Sequence, residues 1–128
     1  MAEKKIILMI DNEKEFSSLI KSFLEESCDY EAKIVPDGYN GMRMAAKIKP
    51  DLILLDVLMP AMNGFYVLKQ LKGNKETASI PVMMVTAVQD VEDKLRAENL
   101  RCEGYIIKPI KLEDLRLKIN NLLASKGG

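Results

Sequence analysis

Four apolar runs in this chain each stop at a residue able to do chemistry. Leu52-Ile53-Leu54-Leu55 stops at Asp56, Ile6-Ile7-Leu8-Met9-Ile10 at Asp11, Val82-Met83-Met84-Val85 at Thr86, and Tyr105-Ile106-Ile107 at Lys108. Unbroken apolar runs lack the alternation of a half-exposed strand and suit strands buried on both faces, as in parallel sheets. In a parallel α/β sheet the C-terminal ends of the strands share one rim, and chemistry collects there. Two carboxylates, a hydroxyl and an amine on one rim have the composition of a divalent-metal and phosphoryl site.

Between these runs the apolar period becomes helical. Phe16, Leu19, Ile20, Phe23 and Leu24 recur at i, i+3, i+4, i+7 and i+8, one face of an amphipathic helix. Ala32 to Val35 reads as a short strand, stopped by the turn chemistry of Pro36-Asp37-Gly38. A short helix from Met42 to Ile48 ends before Pro50. Another runs from about Gly64 to Leu71 and carries Phe65, Leu68 and Leu71. Pro81 opens the strand that reaches Thr86, and a more polar helix runs from Val91 to about Asn99. The final helix buries Leu112, Leu115, Ile119, Leu122 and Leu123. Leu117 falls off that stripe; partial burial is the favoured reading, an exposed partner contact the other. Five strands and five helices in strict alternation predict an α/β fold, a doubly wound parallel sheet covered on both faces through right-handed crossovers.

Length and composition narrow the function. The 128 residues suit one domain, 1–128 with a core over about 4–124, and Gly127-Gly128 is expected to fray. Nineteen acids balance nineteen bases, so no electrostatic footprint argues for nucleic acid or an anionic membrane. No apolar stretch approaches the roughly 20 residues of a membrane span, and no signal peptide is read. Cys28 and Cys102, far apart, fit reduced thiols in a cytoplasmic protein. Histidine is absent, which excludes histidine-based acid–base catalysis and histidine-ligated metals and leaves carboxylates, hydroxyls and lysine.

The segments Ile-Asp-Asn-Glu at Asp11, Leu-Leu-Asp-Val-Leu-Met-Pro at Asp56, Met-Val-Thr-Ala at Thr86 and Gly-Tyr-Ile-Ile-Lys-Pro at Lys108 together resemble a response-regulator receiver domain of the chemotaxis-Y type. The resemblance covers nearly the whole chain. It implies the flavodoxin-like strand order 2-1-3-4-5. It also implies that Asp56 takes a phosphoryl group from a phosphohistidine on a sensor histidine kinase or a histidine phosphotransfer protein. Mg²⁺ is expected on Asp11, Asp56 and the backbone carbonyl of Leu58, with oxygen ligands throughout. Lys108 and Thr86 are expected to neutralise phosphoryl oxygens, because phosphoryl transfer is won by positioning and electrostatics. Thr86 and Tyr105 match the family's switch pair, which changes the surface of the fourth helix, fifth strand and fifth helix for an unidentified downstream protein. Lys108-Pro109 resembles the family's cis turn. The implied module is a stand-alone signalling receiver, not a turnover enzyme.

The chain departs from this pattern at Asn12, where receivers usually carry a second acid. An amide can offer its carbonyl oxygen to a metal, but the site loses a unit of negative charge. Weakened Mg²⁺ binding is expected, with Asp11 or Glu13 taking part of the burden. Alternatively Asn12 is a helix N-cap whose capping box is completed by Glu15. Leu58 and Val88, two residues past Asp56 and Thr86, are apolar and cannot orient an attacking water, so slow self-dephosphorylation is expected. At Leu100-Arg101-Cys102 a helix-ending glycine is missing. Either Arg101 takes positive φ at a cost on the order of 1 kcal/mol, or the helix ends at Asn99. A haloacid-dehalogenase-type phosphatase would need Asp-x-Asp where this chain has Asp11-Asn12-Glu13. A flavin binder would need a Ser/Thr/Gly-rich loop where it has Asn12-Glu13-Lys14-Glu15. The alternative that stays is a degenerate or excised receiver working by protein contact without phosphorylation.

Overall fold

A computed structural model describes residues 3–87 and 90–127. Its elements alternate as β1 (Ile6–Ile10), α1 (Lys14–Ser27), β2 (Glu31–Val35), α2 (Gly38–Ile48), β3 (Leu52–Leu55), α3 (Gly64–Gly73), β4 (Val82–Thr86), α4 (Val91–Asn99), β5 (Gly104–Ile107) and α5 (Leu112–Gly127). All five strands are parallel, in the order β2-β1-β3-β4-β5, as the resemblance implies.

Because successive strand residues face opposite ways, each apolar run feeds two cores. Ile7, Met9, Leu52, Leu54, Met83 and Val85 pack on one side with Ile20 and Leu24 of α1 and Leu115, Ile119 and Leu123 of α5. Leu8, Ile10, Ile53, Leu55, Val82 and Met84 pack on the other with Ala45 of α2, four residues of α3 and Ala97 of α4. The solid apolar character of the runs is therefore accounted for residue by residue. No helix among the described residues is long and apolar enough to cross a membrane.

Register brings the strand ends level. Ile10 pairs with Leu55, Leu55 with Met84, and Thr86 with Ile107. The ladder continues one residue past three of the strands. Asp11 N–H donates to Val35 O at 3.1 Å, Asp56 N–H to Ile10 O at 3.0 Å, and Lys108 N–H to Thr86 O at 2.8 Å. Sheet hydrogen bonding thus holds the backbone of all three chemical residues.

The opposite end of the sheet is tied by one buried lysine. Lys72, in the last turn of α3, donates from Nζ to Ile80 O at 2.9 Å and to Glu103 at 2.9 Å. Glu103 in turn accepts from Val82 N–H at 2.7 Å. Helix α3 and the starts of β4 and β5 are joined through this pair.

Several expectations need correction. Helix α2 begins at Gly38, before Met42, because Asp37 caps it by accepting from Asn40 N–H at 2.8 Å. The low helix propensity of Gly38, Asn40 and Gly41 hides that start. A Cβ at Gly41 would fall 2.7 Å from the Ile10 side chain, so glycine serves close packing of helix on strand. The capping box at Asn12 does not form: the N-cap of α1 is Glu13, without a side-chain cap bond. Leu19 does not join the buried stripe of α1 and is 57% exposed. Leu117 is 58% exposed, so its favoured reading of partial burial is overturned. At the end of α4 both readings hold together. The helix ends at Asn99, and Arg101 takes φ 70° while its N–H donates to Glu98 O and that of Cys102 to Ala97 O. That is a Schellman closure made without glycine.

Candidate functional site

Asp11 and Asp56 follow the neighbouring ends of β1 and β3, and both are buried. Each carboxylate is aimed by the backbone two residues on. Asp11 Oδ1 accepts from Glu13 N–H at 2.8 Å, and Asp56 Oδ1 from Leu58 N–H at 3.3 Å. Such short-range bonds are what aspartate makes at the start of a loop.

Lys108 reaches both acids from the end of β5. Its Nζ lies 3.0 Å from Asp11 Oδ2 and 3.4 Å from Asp56 Oδ2, and a third contact of 2.5 Å goes to Glu13 Oε1. The amine also sits 4.1 Å from the centre of the Phe16 ring, an additional electrostatic attraction. The Lys108–Pro109 peptide is cis. Burial pulls the lysine's pKa down, but hydrogen bonds to Glu13 and Asp11 and the charges of Asp11 and Asp56 outweigh it and leave it raised. The amine is therefore cationic at neutral pH. Burial pushes the Asp11 carboxyl up, with the Asp56 charge acting the same way; the Glu13 N–H and Lys108 oppose it.

Oxygens of Asp11, Glu13 and Asp56 lie within 4.8 Å of one another. Three carboxylates against one ammonium leave two uncompensated negative charges. Hard oxygen donors with that charge suit a divalent cation of the magnesium type.

The loop carrying Asp56 is held from behind by Gly64, the first residue of α3. Its N–H donates to Val57 O at 2.9 Å, and a Cβ there would stand 2.0 Å from the Asp56 carbonyl oxygen and 2.7 Å from Val57 Cα. Only glycine fits. Sequence reading missed this role, although Asn63-Gly64 is a recognisable turn dipeptide before a helix. Between them, Met62 N–H donates to Pro60 O at 2.7 Å across Ala61, whose φ is 66°. This tight three-residue turn strains a non-glycine residue beside the site.

The remaining predicted residues spread outward from this centre. Thr86 is fully buried at the end of β4. Tyr105, half-buried on β5 opposite Met84, packs against the cluster on the α3 and α4 side. Leu58 projects outward with 57% exposure, while its backbone stays bonded to Asp56. Asn12 is exposed between Asp11 and Glu13. Val88 lies outside the described residues.

With this rim in view, the family is shown: residues 7–120 match the response regulator receiver domain, and the chain belongs to that family. It is a receiver domain of two-component response regulators. It is 34% identical over 91% of its length to the DNA-binding dual master transcriptional regulator RpaA of Synechocystis, covering 48% of that protein. It is 32% identical to Protein PilH of Pseudomonas aeruginosa, over 92% of this chain and 97% of PilH. Among solved structures, a CheY-like response regulator receiver domain protein from Methanospirillum hungatei superposes with a TM-score of 0.91, at 26% identity and 98% coverage of both chains. The chain spans about half the length of several curated relatives it matches, including RpaA.

Proposed function

We propose that Asp56 is the phosphoacceptor of a histidine–aspartate phosphorelay. The observation that carries this reading is the meeting of Lys108 Nζ with Asp56 and Asp11, residues 52 and 97 positions away in sequence. An Asp56 carboxylate oxygen forms a bond to phosphorus as the phosphorus–nitrogen bond of a partner's phosphohistidine breaks. The imidazole nitrogen leaves with the electron pair. Lys108 holds a fixed positive charge beside the oxygens that gain charge in transfer, and burial makes that charge count for more than it would in water. Asp11, Asp56 and the Leu58 carbonyl would hold Mg²⁺, which when bound supplies further positive charge to the phosphoryl group. Asn12 is at most an auxiliary ligand.

Thr86, at the head of β4, would turn its hydroxyl to the phosphoryl group and make room for Tyr105, altering the α4–β5–α5 face. Such a switch moves an existing equilibrium rather than building a new fold. The donor would be a sensor histidine kinase or histidine phosphotransfer protein in the cytoplasm, and the product a protein contact rather than a released small molecule. Leu58 is proposed to slow hydrolysis of the acyl phosphate from the outer side of the site, with Val88 assigned the same part from sequence alone. Leu58→Asn should shorten the phosphoryl half-life, and an unchanged half-life would remove that role. The meeting of Asp11, Asp56 and Lys108 on one rim supports phosphorylation over a contact-only receiver.

The deciding experiment incubates the chain with a small phosphoramidate donor and Mg²⁺ and measures intact mass. Wild type should gain one phosphoryl group and Asp56→Asn none. Equal labelling of the two, or none of either, rejects the assignment.

A further inference from the structure

Glu13 stands at the N-cap of α1 but does no capping with its side chain. The carboxylate turns to the acidic rim instead and makes the shortest of the three contacts to Lys108 Nζ, 2.5 Å. It also differs from its two companions in exposure, at 56% against 4% for Asp11 and 3% for Asp56. The two buried aspartates are fixed by backbone hydrogen bonds, whereas Glu13 can move at little cost in packing.

Charge gives this arrangement a purpose. Asp11 and Asp56 against Lys108 leave one negative charge, too little to match a divalent cation in a half-buried site. The neighbouring position that could supply another is the neutral amide Asn12. Glu13 raises the balance to two negative charges, with an oxygen already within 4.8 Å of oxygens of both aspartates.

Resting on the phosphoacceptor reading, we infer that Glu13 is the third carboxylate of the cation site, in place of the acid absent at Asn12, and that without cation it is held on Lys108. A divalent ion in the rim repels the ammonium and draws the exposed carboxylate. Glu13 therefore changes partner when the cation binds, and Lys108 is released toward the phosphoryl oxygens. One side chain thereby couples cation binding to freeing of the amine.

The test is calorimetric titration of Mg²⁺ into the full chain as wild type, Glu13→Gln, Asn12→Asp and the double variant. Glu13→Gln should weaken binding by about tenfold, which is the 1.4 kcal/mol of one lost charge contact. Asn12→Asp should restore most of that loss in the double variant, so the two positions substitute for each other. A residue serving only as partner of Lys108 gives the opposite sign, since releasing the amine leaves Mg²⁺ affinity equal or tighter. Affinity equal to or above wild type in Glu13→Gln overturns the inference. If wild type still labels at Asp56 in that case, the phosphoacceptor reading survives. Absence of labelling in wild type rejects the reading itself.

Discussion

Gly64 crosses the loop behind Asp56 so closely that a single methyl group would meet the Asp56 carbonyl oxygen at 2.0 Å. The obstacle is backbone, which cannot turn aside as a flexible side chain could. Gly64→Ala is expected to lower stability by about 1–3 kcal/mol, the usual cost of overpacking, and to slow phosphoryl uptake by displacing the Asp56 loop. Urea unfolding and the mass-based labelling rate read the two effects separately. Gly73 provides the control: a Cβ there meets nothing within 4 Å, so Gly73→Ala should leave both measurements near wild type. Asp11, Asp56 and Lys108 were legible in the sequence because each ends an apolar run, and sheet register does the rest. Gly64 was not, because its demand comes from two backbones approaching each other, which a local pattern does not encode. Glu13 was legible as a carboxylate able to take part of the metal burden beside Asn12; its reach to Lys108 is a tertiary fact.

Helix α1 shields the exposed edge of the sheet as well as packing on it. β2 is an edge strand, and Ala32 within it has both backbone groups engaged by α1. Its N–H donates to Glu25 Oε2 at 3.1 Å, and its carbonyl accepts from Lys21 Nζ at 2.6 Å. Covering such groups guards an edge against unwanted pairing. The Ala32 N–H, seconded by Lys21, holds the Glu25 carboxyl below its ordinary range. A depressed carboxylate pKa adds stability above the unfolded value of 4.5, and the gain is lost as pH falls through the folded pKa. Stability should therefore decline below pH 4.5 less steeply in Glu25→Gln than in wild type, as measured by urea unfolding at stepped pH. Equal slopes would show that the latch contributes nothing. At this scale the sequence located every element, and the errors fell on bounds and faces. Leu19 matches the helical period of α1 yet points outward, since periodicity defines a stripe without saying how wide the covering partner is, while Leu117 lies off the stripe of α5 and is exposed.

Across the whole molecule, the two ends of the sheet are built differently. At the rim, Lys108 serves three carboxylates, two of them buried; at the opposite end, Lys72 is 7% exposed and bound to Glu103 and the carbonyl before β4. Removing Lys72 would leave the partly exposed Glu103 carboxylate and the Ile80 carbonyl without their cation. Lys72→Ala is expected to cost roughly 2–3 kcal/mol in urea unfolding, discounted for the partial exposure of Glu103. A loss below half of that would place the strength of this end in the apolar cores alone. Four apolar runs marked four of the strands and the family resemblance implied their order, but neither disclosed the register or the Lys72–Glu103 tie. Its members are surface-type residues 31 positions apart with no pattern linking them.

The Lys72 clasp also divides the two ends of the sheet between support and chemistry. It fastens α3 to the feet of β4 and β5, while Thr86 and Lys108 stand at the heads of the same two strands. The ion pair that steadies the feet of these two strands is therefore kept apart from the charges that act at their other ends.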